Sequence, residues 1–200
     1  MAKRGDPNLF QNEIQVSVSF TAFMTAVTIF FVGLLITKFE SFNVSIKIPI
    51  LFLIISTFAF LYSTLIFANA SGQLSHFVTK NFYKNMLIGD AISEYIGVYF
   101  LVLAVPLVIN VITTDSFLRL ATLIVALGGL LIYHMSGFSL MDRHFKRRHY
   151  WYLFLVIILE VALYYTQTYN LIYFVPIAVV LILFLLLLAL FAYRTKHLLK

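Results

Sequence analysis

Apolar residues run in six blocks along the chain, at roughly 16–37, 48–68, 87–111, 116–138, 150–166 and 171–192, separated by short segments that hold most of the charge. A helix rises about 1.5 Å per residue, so about 20 apolar residues cross about 30 Å of hydrocarbon. The pattern predicts an all-α, polytopic membrane protein of six transmembrane helices, forming one domain over residues 1–200. The fifth block is the shortest. Residues 1–15 and 69–86 are the longest stretches left over, too short for a separate water-soluble core.

Local signals refine this outline. Asp6-Pro7 suits a helix start, with Asp as N-cap and Pro at the first helical position, so the first helix is expected to begin well before the membrane. The first apolar run is longer than the apolar part of a signal peptide and has no small-residue cleavage motif after it, so the segment is expected to be retained. Leu74, Phe77, Val78 and Phe82 recur among Lys80, Asn81, Lys84 and Asn85, which reads as a short interfacial helix over 74–84. The tight links Thr113–Asp115 and Thr166–Asn170 predict antiparallel packing of the helices they join.

Composition agrees: 62% of residues are hydrophobic and 11% charged, against about 25% charged in a soluble domain. The absence of cysteine excludes disulfides, thiolate metal sites and cysteine nucleophiles. The net charge of +6 does not imply nucleic acid, because the basic residues are unevenly placed. With the N-terminus inside, Lys3, Arg4, Lys80, Lys84, Arg143, Lys146, Arg147, Arg148, Arg194, Lys196 and Lys200 lie on the inner side, and only Lys38, Lys47 and Arg119 on the outer. This positive-inside bias places both termini in the cytoplasm. The densest patch, Arg143, Lys146, Arg147 and Arg148, is expected to orient the chain and to touch anionic lipid or a partner.

Ionisable groups within spans are costly facing lipid, so they turn toward the bundle or a wet cavity and mark candidate chemistry. Asp90 and Glu94 stack one turn apart on span three, an arrangement suited to a cation or a shared proton. By depth, His134 on span four lies within about one turn of Glu94 and is positioned to pair with it. Glu160, past the middle of span five, is expected to pair with Arg119 near the outer start of span four, with Tyr164 one turn beyond as a hydrogen-bond donor. Asp90, Glu94, His134 and Glu160 thus sketch an ion or proton pathway. His76, Asp142, His144 and His149 share the inner side, but no metal motif such as HExxH is present.

Other patterns concern packing. Gly89, Ser93 and Gly97 follow a small-xxx-small spacing on span three, and Gly128 and Gly129 offer a similar surface on span four, either within the chain or between subunits. Ser17, Thr21, Thr25 and Thr28 form a hydroxyl stripe on span one, expected to bond back to its own helix, with pore lining as the alternative. Span six is apolar on every face and is assigned to lipid or a subunit contact. Tyr150, Trp151 and Tyr152, and on the other side Tyr165, Tyr169 and Tyr173, read as interfacial anchors.

No serine-hydrolase, phosphate-loop or phospholipid-synthesis motif is present, and the two halves share no inverted-repeat pattern of polar positions. The leading expectation is a small channel or transporter for a cation or protons, working as a homo-oligomer or with membrane-protein partners in the lipid bilayer. The second is a non-catalytic accessory or scaffold subunit of a larger membrane complex. A lipid-modifying enzyme at the cytoplasmic face is third.

Overall fold

The computed structural model describes residues 7–42, 44–74, 80–135 and 151–197. The basic patch at 143–148, His76, Asp142, His144, His149 and the 75–79 part of the expected interfacial helix lie outside the described residues. The described residues are helical with no strand: α1 (Pro7–Thr37), α2 (Lys47–Leu74), α3 (Lys80–Ile92), a π turn (Ser93–Val98), α4 (Tyr99–Ile112), α5 (Ser116–Met135), α6 (Trp151–Thr168) and α7 (Phe174–His197). The third span is continuous through α3, the π turn and α4, so six helices of the described chain are long and apolar enough to cross a membrane.

Local chemistry sets the helix ends. Pro7 opens α1, where its missing N–H has no helical partner to lose. Asp115 caps α5, its Oδ1 accepting from the Phe117 and Leu118 amides at 2.8 and 3.0 Å. At the same end of the bundle α6 gives way at Asn170, whose φ is 50°. The Leu171 amide reaches the Thr166 carbonyl at 2.8 Å and the Asn170 amide reaches Gln167, which together close a Schellman-type cap.

Packing follows the short links: α1 on α2, α2 on α3 and α4, α4 on α5, and α6 on α7. The main buried cluster joins α2, α4, α6 and α7 around Phe52, Tyr99, Phe100, Leu103, Leu107, Val156 and Leu185. The seventh helix differs from its sequence expectation. One face, carrying Ala178, Leu181, Leu185, Leu188 and Ala192, is buried in the bundle, and only the rest is open to lipid. Its uniform apolar composition hides this asymmetry.

The α2–α3 seam is built from a repeat of seven. On α2, Ser56 and Ser63 donate to the Gly97 and Gly89 carbonyls at 2.7 and 3.1 Å. Between and beyond them Phe60 and Phe67 cover the same glycines: a methyl built on Gly97 would lie 2.7 Å from Phe60 Cε1, and one on Gly89 2.6 Å from Phe67 Cε1. A side chain at either glycine would force the ring over it to shift. On α1, the hydroxyls of Thr21, Thr25 and Thr28 return to their own helix carbonyls, and Thr64 of α2 donates to Thr21 Oγ1 at 2.8 Å. That stripe is a helix seam.

Candidate functional site

Span three carries an irregularity just where its acids lie. Through Ser93–Val98 the backbone is a π-helix, with the Tyr99 amide reaching back five residues to the Glu94 carbonyl. One extra residue is thereby fitted into a turn, a feature often found at functional positions. Asp90, at the end of α3, is 8% exposed, and Glu94, inside the π turn, is half-buried.

Beside this turn four buried side chains form one hydrogen-bonded group. His134 Nε2 bonds the Tyr152 hydroxyl, while His134 Nδ1 meets the Tyr99 hydroxyl at 3.3 Å. Tyr95 and Tyr152 share a further hydrogen bond. Tyr95, Tyr99, His134 and Tyr152 are each 3% exposed or less. The partners seen for His134 are therefore phenols on spans three and five. Tyr152 corrects its sequence reading: it is buried in this cluster, whereas its neighbour Trp151 is 60% exposed and fits the anchor role. The missed signal was Tyr95 and Tyr99, two phenols one turn apart within an apolar span.

Glu160 stands apart. It is fully buried in α6, and neither carboxylate oxygen has a hydrogen-bond partner. The expected pairing with Arg119 is not formed, nor is the bond from Tyr164. Arg119 is used elsewhere: its Nε donates to the Thr113 carbonyl at 2.5 Å. The three-residue link before α5 leaves that carbonyl at the chain reversal, and the guanidinium satisfies it locally.

Beyond Glu160 the same buried stripe of α6 reaches Gln167. Asn110 Nδ2 donates to Gln167 Oε1 at 2.9 Å and to Thr168 Oγ1 at 3.1 Å, and Gln167 Nε2 donates to the Ser45 carbonyl at 3.2 Å. Asn110 and Gln167 are 5% and 4% exposed. A cleft of about 430 Å³ opens beside them, with Ser45, Lys47, Thr166 and Gln167 on its wall. The sequence puts Gln167 in the expected Thr166–Asn170 link, whereas α6 continues through Thr168 and turns that amide into the bundle.

The structure thus places the candidate residues in three groups. Glu94 and the His134–tyrosine cluster lie in and beside the π turn with Asp90 one turn before Glu94, Glu160 lies alone farther along α6, and the Asn110–Gln167 cluster closes the opposite end. Gly89, Ser93 and Gly97 lie on the α2 seam, with the Ser93 hydroxyl bonded to the Asp90 carbonyl at 3.2 Å. Gly128 and Gly129 do not meet another helix: no described atom lies within 4 Å of a methyl built on either. Among the described residues no group of three or more His, Cys, Asp or Glu is arranged to hold a metal.

Six helices long and apolar enough to cross a membrane define a polytopic membrane protein. No known protein family, characterised sequence or solved structure matches the chain. Its function is therefore read from the geometry.

Proposed function

We propose that this protein is a small membrane channel or transporter for protons or a cation, with α6 as the polar seam of its route. The observation that carries the reading is Glu160. A carboxyl group in the middle of a span, buried and without a hydrogen-bond partner, costs stability that a packing role does not repay. Such a group fits a site that takes up and releases a positive species.

The neighbours along α6 support a route. Tyr152, Glu160 and Gln167 fall on one buried stripe, eight and seven residues apart, or about 12 and 10 Å along the axis. Val156 and Leu163 separate them and are fully buried. A carboxyl sealed by apolar residues on both sides suits an occluded state, so passage requires a rearrangement that wets one side at a time. Asp90, Glu94 and the His134 cluster would serve the inner side, and the cleft at Lys47 and Gln167 the outer.

The positive-inside bias supports both termini in the cytoplasm, and the 74–84 segment an interfacial position there. Arg143, Lys146, Arg147 and Arg148 then face the inner leaflet and its anionic lipid. A second reading, an accessory subunit, is favoured by one observation. The open glycine surface at Gly128 and Gly129 on α5 is suited to close approach by another helix, from a second copy or a membrane-protein partner.

The test is flux into liposomes holding the purified protein under H⁺, Na⁺, K⁺ and Ca²⁺ gradients, comparing wild type with Glu160→Gln. Flux that falls at least tenfold in the variant supports transport. Silence under every gradient, from protein that remains monodisperse, supports the accessory reading instead.

A further inference from the structure

The transport reading leaves the species open between a metal cation and a proton, and the surroundings of Glu160 distinguish them. Two contacts fix how spans three and five lie against each other. Tyr95 packs on Tyr152 with ring centroids 6.3 Å apart, and Asn110 donates to Gln167 at 2.9 Å. Both pairs are separated by the same 57 residues, so α4 and α6 run parallel and in step between them. Within about a residue, the position on α4 level with Glu160 is Leu103. Above and below it stand Phe100, Ala104 and Leu107, all fully buried.

Besides the contacts of α6 with His134 of α5 near its start and with Ser45 near its end, the other helix packed along it is α7, whose buried positions are Ala178, Leu181, Leu185, Leu188, Ala189 and Ala192. From Phe174 to Tyr193 α7 has no acid, amide or basic residue. The titratable group closest along α6 itself is Tyr164, one turn beyond. Among the described residues, neither α4 nor α7 brings an oxygen-bearing side chain to the level of the carboxyl, and neither carboxylate oxygen has a hydrogen-bond partner.

A metal cation asks for more than this. Ca²⁺ takes six to eight oxygen ligands and Mg²⁺ near-octahedral coordination, and a lone carboxylate against leucine and alanine supplies two oxygens. A proton needs one. It forms a single O–H bond to one carboxylate oxygen, removes the charge, and leaves a neutral acid that an apolar wall tolerates far better than an anion. We infer that Glu160 is a proton-binding site with no capacity for a metal ion, and that the species coupled to it is H⁺. On uptake, one O–H bond forms on Glu160 as one breaks in a hydronium ion; on release the proton passes to water on the opposite side. No oxidant or second reactant is required.

This inference rests on the transport reading for its physiological meaning, yet the site can be tested without transport. Infrared spectroscopy of the full-length protein in liposomes at neutral pH reads the carbonyl stretch of a protonated carboxylic acid. The expected result is a band that disappears in Glu160→Gln, shifts in Glu160→Asp, and is unchanged by Na⁺, K⁺ or Ca²⁺. Should Glu160→Gln fail to fold, the shift in Glu160→Asp still assigns the band. Loss of the band on adding a metal ion, or its persistence at the wild-type position in both variants, overturns the inference. A flux assay separates the two ideas. Metal-ion flux dependent on Glu160 overturns the proton assignment while transport stands. An intact acid band without flux upholds the proton site and removes transport.

Discussion

The Ser56 hydroxyl of α2 donates to the Gly97 carbonyl at 2.7 Å, inside the π turn of the third span. Backbone hydrogen bonding in a π turn departs from the α-helical ladder, and a side-chain donor from a neighbouring helix secures the carbonyl there. Phe60, one turn along α2, lies over the same glycine. Hydroxyl and ring together hold the irregular turn against α2.

Gly97→Ala should therefore destabilise the protein by about 1–3 kcal/mol, because the new methyl meets Phe60 at 2.7 Å and the ring must shift. Pairing it with Phe60→Leu should recover part of the loss. Ser56→Ala removes one interhelical hydrogen bond, at a cost of about 0.6 and at most about 1.7 kcal/mol. Thermal unfolding in detergent measures all three. An unaffected Gly97→Ala would mean that the seam is looser than described.

By contrast, alanine at Gly128 or Gly129 meets nothing within 4 Å in the described chain and improves helix propensity. Each variant should match or slightly exceed wild-type stability as a monomer. If the α5 surface receives a second copy, the same substitutions should shift the protein toward monomer in sedimentation. Stability and assembly then respond in opposite senses.

Glu160→Met keeps a similar shape and removes the unpartnered carboxyl. The expected change is a gain of about 1–3 kcal/mol, the usual penalty of a buried polar group left unsatisfied. The same variant should lose the flux expected of the wild type. A variant that is both less stable and still active would sink the assignment of Glu160 as a functional group held at the expense of stability.

Tyr152→Phe takes away the hydroxyl bonded to His134 Nε2 and leaves that nitrogen in a buried site. A loss of about 1–3 kcal/mol follows. Tyr99→Phe should cost less, since its contact with Nδ1 is 3.3 Å long. Equal effects from both, in a double-mutant comparison with His134→Ala, would show that the ring is not anchored chiefly through Tyr152.

Asn110→Ala removes the donor shared by Gln167 and Thr168 at the far end of α6. About 1–3 kcal/mol should be lost, and Gln167→Ala should add little to it because the two belong to one cluster. Additive losses would place the two amides in separate interactions.

The six spans were legible because apolar length is a property of composition. The observed helices Gln11–Thr37, Lys47–Gln73, Asn81–Ile112, Ser116–His134, Trp151–Thr168 and Phe174–Arg194 overlap every expected block. Which face each residue takes was harder. Depth counting placed Arg119 within reach of Glu160, but the guanidinium serves the Thr113 carbonyl, a demand created by a chain reversal and invisible in residue types. Tyr152 was read as an anchor because it sits beside Trp151 at a span end; rotation by one residue around the helix sends one ring inward and the other out. The π turn left no compositional mark at all.

That turn has a consequence at a distance. An extra residue within Ser93–Val98 advances everything after it by about 100° around the helix axis. The third span is in effect two rods joined out of phase, the first rod keyed to α2 through Gly89 and the second keyed to α6 through Asn110. Removing a single residue there would regularise the local backbone and turn the second rod away from its partner. The injury would be felt most at Asn110, about four turns from the cut.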